Sequence, residues 1–317
     1  MLSNEQQKLQ LLVESLNTKA PRLADKKNLE NFALLIIIPF KDKWQLTEKC
    51  IASLLQQNIM GQRVKVVLVN NNSLEPETLT HLAQWQTKLK EGGFEVEALE
   101  DHAPFNFSQL NNRAVERCGS AFQADLLLFL NNDVEFTEPQ QLSHWCLWHR
   151  AHENVGVSGA TLLYPNRTIQ HACVLPGFKI VATHPLRNAC EAVATEWNAN
   201  ARNVPAVTGA ALMVESKHFQ ELGGFDENLA HACQDVDLCL KALKAGLENW
   251  IVPAVTLIHH ESATRKSAHK PSEVLYFYAR WEEELDALCK VSKKLSRWTE
   301  SPAHTWGEGL FPWRLFL

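Results

Sequence analysis

Four short apolar runs, separated by stretches with helical spacing, constrain this chain more than any other feature. They are Ala33–Ile38 (ALLIII), Val64–Val69, Phe94–Leu99 and Leu126–Leu130 (LLLFL). Runs of this length bounded by polar residues read as strands, and those without alternation read as strands buried on both faces. Between the first two, Leu46, Cys50 and Leu54 fall on one helical line with Ile51 and Leu55 beside it. Leu110, Ala114, Val115 and Cys118 mark another helix. Pro76 suits the first turn of the helix after the second strand, and Ser108 is expected to cap the next one. The order β-α-β-α-β-α-β predicts a mainly parallel sheet with helices on both faces.

Open sheets of this kind place ligands at the carboxyl ends of their strands. Two of the strands end in polar clusters, Asn70-Asn71-Asn72-Ser73 and Asn131-Asn132-Asp133. Taken alone, each is ordinary turn chemistry. The first strand runs into Pro39-Phe40-Lys41-Asp42, where a dinucleotide-binding protein would carry G-x-G-x-x-G. A Walker A motif is absent too. That disfavours a nicotinamide-dependent oxidoreductase and predicts phosphate binding through a metal, not a glycine loop.

Beyond Asp133 the pattern loosens. Short strands are expected at Val155–Gly159, Val207–Val214 (interrupted by Gly209), Trp250–Val252 and Val255–Ile258. Helices are expected from Thr137 to about residue 151, before Gly223-Gly224, over 235–245 and over 272–290. Residues 175–204 have little periodicity and read as irregular, and 263–271 read as polar and mobile. An amphipathic stretch over 3–16 and a polar linker over 17–31 precede the core, and a Trp-rich tail follows it. The expected organisation is an N-terminal arm and linker (1–31), one domain (32–290) whose pattern changes at about 136–137, and a tail (291–317).

A net charge of −5 provides no global basic field for nucleic acid. No run approaches the roughly 20 apolar residues that span a bilayer. Eight cysteines without a CxxC pair read as reduced thiols. The expected location is the cytoplasm, in solution or peripherally at the inner face of the membrane.

In order along the chain, LLIIIPF, VVLVNNNS, PFNFSQLNN, LLFLNNDVE, VTGAALMV, GGFDE, QDVDLCLKALKAG and IHHES resemble the family 2 glycosyltransferases of the GT-A fold. The likeness extends to bacterial members that build surface polysaccharides, including rhamnosyltransferase-like enzymes. It implies inverting, metal-dependent transfer of a sugar from a nucleotide-diphospho-sugar, with UDP- or dTDP-linked donors favoured. The implied acceptor is a hydroxyl on a glycan or lipid-linked glycan, and residues 32–290 would be the glycosyltransferase domain, with a donor half to about 136 and an acceptor half from about 137.

The resemblance also implies roles for residues. Pro39, Asn70, Asn112, Asn131, Asn132 and Asp133 would surround the donor. Asp133 would hold Mn²⁺ or Mg²⁺ together with His259, with His260 as the alternative ligand. Asp235 would be the catalytic base, and Asp237 competes for that role from a different face of the same helix. Asn70, Asn131 and Gln234 stand where the family has acidic residues. Those departures leave a rival of another class, a non-catalytic, degenerate binding module. Arg280-Trp281 follows Phe277, not the Gln of the processive Q-x-x-R-W pattern, so single addition is expected. Residues 175–204 are the expected seat of acceptor specificity.

Overall fold

The computed structural model describes residues 21–24, 31–59, 61–176, 182–260 and 270–299, with side chains in the last helix described as far as Leu285. The amphipathic stretch 3–16, most of the linker, residues 261–269 and the tail after Thr299 lie outside the described residues.

The first half forms as its hydrophobic pattern dictates. β1 (Ala33–Phe40), β2 (Arg63–Asn70), β3 (Glu95–Glu100) and β4 (Leu126–Leu130) are all parallel, in the order β3-β2-β1-β4. Strand alternation divides β1 between two cores. Leu35 and Ile37 enter one, Leu34, Ile36 and Ile38 the other. Both faces are covered, so the run must be apolar throughout, and each fully buried Leu or Ile stabilises by roughly 1.5–3 kcal/mol relative to exposure. β1 runs two residues past the expected Ile38. Pro39 and Phe40 pair with Val69 and Asn70, while pairing with β4 ends at Ile37. Pro39 therefore has a neighbour strand on one side only, where a missing N–H is tolerated.

α1 (Trp44–Leu55) and α2 (Pro76–Glu91) cover one face, burying Cys50, Ile51 and Leu54, and Leu82, Trp85 and Leu89. α3 (Phe107–Ala114) covers the other and continues into a π turn at Val115–Gly119. Its cap is not Ser108. The Asn106 side chain accepts the Gln109 N–H at 3.1 Å, while the buried Ser108 hydroxyl donates to the Leu229 carbonyl at 2.7 Å.

The second half extends the same sheet with mixed polarity. β5 (Val134–Phe136), α4 (Gln141–Ala151), β6 (Val155–Leu163) and β7 (Ile169–His171) come first. A small hairpin follows, β8 (Leu175–Pro176) with β9 (Ala182–Thr183), then α5 (Glu191–Trp197) and β10 (Arg202–Asn203). β11 (Ala211–Glu215), α6 (Ser216–Glu221), α7 (Gln234–Lys244), β12 (Glu248–His259) and α8 (Pro271–Thr299) complete it. α8 is kinked at Trp281. The main sheet runs β10-β12-β6-β11-β4-β1-β2-β3, with β5 on β12 and β7 on β6.

Three expectations need correction. The strand expected from Val207 begins at Ala211, because Gly209 and Ala210 turn toward β4. The two strands expected at 250–258 are one, β12, with a register shift where Ala254 adopts φ 58°. The stretch expected to be irregular holds α5, whose Trp197 is fully buried.

Strand direction sets the site. β11 is antiparallel to β4, β6 is antiparallel to β11, and β12 is parallel to β6. β12 thus ends at the same edge of the sheet as β1, β2 and β4.

Candidate active site

At that edge the polar tips of the strands meet. The Asn131 N–H donates to the Ala210 carbonyl at 2.8 Å, joining the β4 tip to the turn before β11. His259, the last residue of β12, pairs with Val134 across the β12–β5 ladder. That register brings its Nε2 to 3.1 Å from Asp133 Oδ1. His260 turns away to Glu135, and its N–H donates to the Asp133 carbonyl at 2.9 Å. Of the two histidines, the structure places His259 at the Asp133 carboxylate.

Gln170, on β7, fixes the His259 ring from behind. Its Oε1 lies 2.5 Å from His259 Nδ1. An amide oxygen only accepts, so Nδ1 carries the proton. Nε2 then directs a lone pair at a carboxylate oxygen. Two acceptors at 3.1 Å need a second imidazole proton or a cation between them. A hard oxygen and an imidazole suit Mn²⁺ or Mg²⁺ with most positions left to other ligands. Among the described residues no group of three or more His, Cys, Asp or Glu side chains is placed to hold a metal. The pair supplies one carboxylate oxygen and one imidazole nitrogen, a donor set that fits such an ion.

The two neighbouring amides differ. Asn132 Nδ2 donates to the Thr47 hydroxyl at 2.8 Å, tying the tip to α1. Asn131 is half-buried, and its side-chain amide makes no hydrogen bond among the described residues.

On the β1–β2 side, two loops clamp each other. Asp42 Oδ1 accepts the N–H groups of Leu74 and Glu75 at 2.7 and 2.9 Å, and the Asp42 N–H donates to Ser73 Oγ at 2.9 Å. Pro39 is half-buried at the start of the first loop. Asn70 is 1% exposed, and its oxygen already accepts the Ser73 N–H at 3.0 Å. Its Nδ2 donates to Glu100 Oε2 at 2.9 Å. The accessible acceptor at this strand tip is therefore the exposed Glu100 carboxylate, not the Asn70 amide.

Asp235 and Asp237 separate cleanly. Asp235 is half-buried at the start of α7, and its Oδ2 accepts the Gly209 N–H at 2.7 Å. A Cβ at position 209 would lie 3.2 Å from Asp235 Cβ, so a side chain there would press on Asp235 and shift it by a few tenths of an ångström. Asp237 is fully buried. It receives the Trp281 indole N–H at 2.9 Å and faces Arg280 Nε at 3.1 Å and Lys241 Nζ at 2.8 Å. Asp237 is a structural ion-pair centre that docks α8 on α7.

The Asn112 side chain, expected beside the donor, is engaged within the protein. Its amide brackets Phe225, accepting that residue's N–H at 3.1 Å and donating to its carbonyl at 2.9 Å. The neighbouring Asp226 is pulled up by burial, but the Tyr276 hydroxyl, Asn228 and Arg280 outweigh that, and its carboxyl lies below the usual range.

Comparison with known proteins decides the family. Residues 35–168 match the sequence model of Glycosyl transferase family 2. The chain carries a family 2 glycosyltransferase domain. It is 37% identical over 238 residues to the O-antigen biosynthesis protein RfbC of Myxococcus xanthus, covering 73% of this chain and 18% of that protein. It is 35% identical over 260 residues to the uncharacterized protein y4gI of Sinorhizobium fredii, covering 78% and 27%. The chain thus spans under a third of the length of these curated relatives.

The fold of this glycosyltransferase domain is GT-A. Its solved neighbours include GalNAc-T7 with UDP, GalNAc and Mn²⁺, at TM-score 0.63 and 14% identity, over 80% of this chain and 49% of that one. The mannosyltransferase PcManGT of Pyrobaculum calidifontis, in complex with GDP-Man and Mn²⁺, gives 0.56 and 14% over 92% and 85%. TarS of S. aureus gives 0.55 and 12% over 83% and 43%. Among the described residues no helix is long and apolar enough to cross a membrane.

Sequence reasoning passed over several groups in this glycosyltransferase domain. Gln170 is a single glutamine with no motif around it. Glu100 ends an unremarkable edge strand. Only the registers of β7 and β12 on β6 and of β3 on β2 bring them to the site.

Proposed function

We propose that the domain transfers a sugar, with inversion, from a nucleotide-diphospho-sugar to an acceptor hydroxyl. The observation that carries this is the convergence of Asp133 and His259 at 3.1 Å at the strand edge, with Asp235 held beside Gly209 one residue from the Ala210 carbonyl that receives Asn131. Asp235 takes the acceptor's proton as the acceptor oxygen bonds to the anomeric carbon. The bond from that carbon to the diphosphate breaks in the same step, and its electron pair leaves with the nucleotide. A half-buried carboxylate in a cleft can serve as such a base.

A divalent cation at Asp133 and His259 would supply Lewis-acid neutralisation of the leaving diphosphate. Asn131, with its unengaged amide, and Pro39 would line the donor. Glu100, held by Asn70, would accept the N3–H of a uracil or thymine, which keeps UDP and dTDP as the favoured carriers. The likeness to an O-antigen biosynthesis protein supports a glycan or lipid-linked glycan of a bacterial surface polysaccharide as acceptor. Peripheral contact with the inner face of the membrane would suit a lipid-linked acceptor.

The test is sugar transfer from a panel of UDP-, dTDP- and GDP-sugars by wild type and Asp235→Asn. Transfer by the wild type with at least a hundredfold loss in Asp235→Asn is expected, within the roughly 10²–10⁴ range of general-base catalysis. Full cellular function in Asp235→Asn would instead favour the non-catalytic binding module.

A further inference from the structure

Glu273 is a buried carboxylate with no part in the chemistry above. It lies in the first turn of α8 and is 5% exposed. A buried carboxylate is costly unless its oxygens are matched by donors. Among the described residues its side-chain donors all come from one short loop. Oε2 accepts the His231 N–H at 3.0 Å and the Ala232 N–H at 3.2 Å. Oε1 lies 2.8 Å from His231 Nδ1. A carboxylate only accepts, so that nitrogen carries the proton.

The loop it grips leads directly into Asp235. Cys233, which follows Ala232, holds a left-handed backbone at φ 67° although it is not glycine. Such a conformation persists only where its surroundings hold it. Asp235 comes two residues later, with Oδ2 on the Gly209 N–H at 2.7 Å. On the far side, Asp237 is anchored by Trp281 and Arg280 of the same helix. α8 thus pins the chain both before and after Asp235. Among the described residues, no other hydrogen bond or ion pair from α8 reaches residues 231–234.

We propose that Glu273 is a positioning residue: it fixes the 231–232 main chain so that Asp235 is presented to the acceptor hydroxyl. This rests on the proposed role of Asp235. A carboxylate displaced by about 1 Å loses up to roughly a hundredfold in rate while leaving donor binding intact. Glu273→Gln keeps an amide oxygen for the two main-chain N–H groups, so it retains part of the function that Glu273→Ala loses.

The experiment compares wild type, Glu273→Ala, Glu273→Gln and Asp235→Asn. Turnover is read as nucleoside diphosphate released from a panel of UDP-, dTDP- and GDP-sugars with an alkyl pyranoside acceptor. Affinity for the corresponding nucleoside diphosphate with Mn²⁺ is measured in parallel, with thermal melting as a check on folding. The expected result is a fall in kcat of about tenfold to a hundredfold in Glu273→Ala, a smaller fall in Glu273→Gln, and nucleotide affinity within twofold of wild type in both. Unchanged kcat in a folded Glu273→Ala overturns the proposal. So does a loss of kcat matched by an equal loss of nucleotide affinity, which marks general damage. Wild-type turnover in Asp235→Asn overturns the base assignment itself, and the positioning role with it.

Discussion

The Asp235 carboxylate accepts the backbone N–H of Gly209 at 2.7 Å, and a methyl group at position 209 would press on Asp235 Cβ at 3.2 Å. The base candidate is therefore aimed by a glycine on a different strand connection. Gly209→Ala should fold, since its neighbours need move only a few tenths of an ångström, yet lower kcat by about tenfold or more through misplacement of Asp235. The check is kcat beside thermal melting. Wild-type kcat in Gly209→Ala would contradict the assigned geometry.

Asp237 should respond quite differently from Asp235. Removing the buried Asp237 carboxylate leaves Lys241 without its carboxylate, Arg280 with Asp226 alone and the Trp281 indole N–H without its acceptor, which costs up to roughly 3–5 kcal/mol. Asp237→Ala is expected to melt well below wild type, whereas Asp235→Asn should melt within a degree or two of it, as a half-exposed site allows. Equal melting of the two variants would contradict the division of roles drawn from Trp281, Arg280 and Gly209.

Acid should weaken the fold through two carboxylates. Burial raises Asp101, but hydrogen bonds from Arg113 and the Ala103 N–H with the Arg113 charge outweigh it, and its carboxyl lies below the usual range. Asp226 is depressed in the same net direction. A depressed folded value stabilises fully above the unfolded value of roughly 4, and that stabilisation is lost as pH falls through the folded values. Melting temperature should therefore be steady above about pH 5 and fall below about pH 4. Arg113→Ala should flatten that fall. An unchanged acid slope in Arg113→Ala would count against the Asp101 contribution.

Gln170 should act on metal affinity without touching the metal. Its oxygen sets the His259 tautomer that leaves Nε2 free to bind. Loss of such an outer partner typically weakens metal binding by about 10–100-fold. Mn²⁺ titration of Gln170→Ala, read by electron paramagnetic resonance, should give that loss with little change in melting. Wild-type Mn²⁺ affinity would remove Gln170 from the site.

How much of this was legible in the sequence follows physical lines. β1, β2 and β4 could be read because strands buried on both faces are largely apolar, as Leu126–Leu130 is, and β3 because it alternates at the sheet edge. The opposition of Asp235 and Asp237 could be read from helix geometry, but which of them is buried depended on Trp281 and Arg280, far along the chain. Pro253 and Ala254 looked like a strand break, whereas β12 passes through them with one left-handed residue. The hydrogen bond of Asn112 to Phe225, 113 positions away, carries no local signal. Gln170 and Glu100 carry no local pattern, and only strand register brings them to the site.

The central claim is that Asp133 and His259 form a metal-dependent nucleotide-diphosphate site. The most direct test is calorimetric binding of UDP, dTDP and GDP, each with Mn²⁺ and again with EDTA, to wild type, Asp133→Ala and His259→Ala. The predicted result is Mn²⁺-dependent binding of UDP or dTDP by the wild type, abolished by EDTA and by Asp133→Ala and weakened in His259→Ala. Absence of binding by any of the three nucleotides to a folded wild type, or binding that is indifferent to EDTA and to Asp133→Ala, would contradict it.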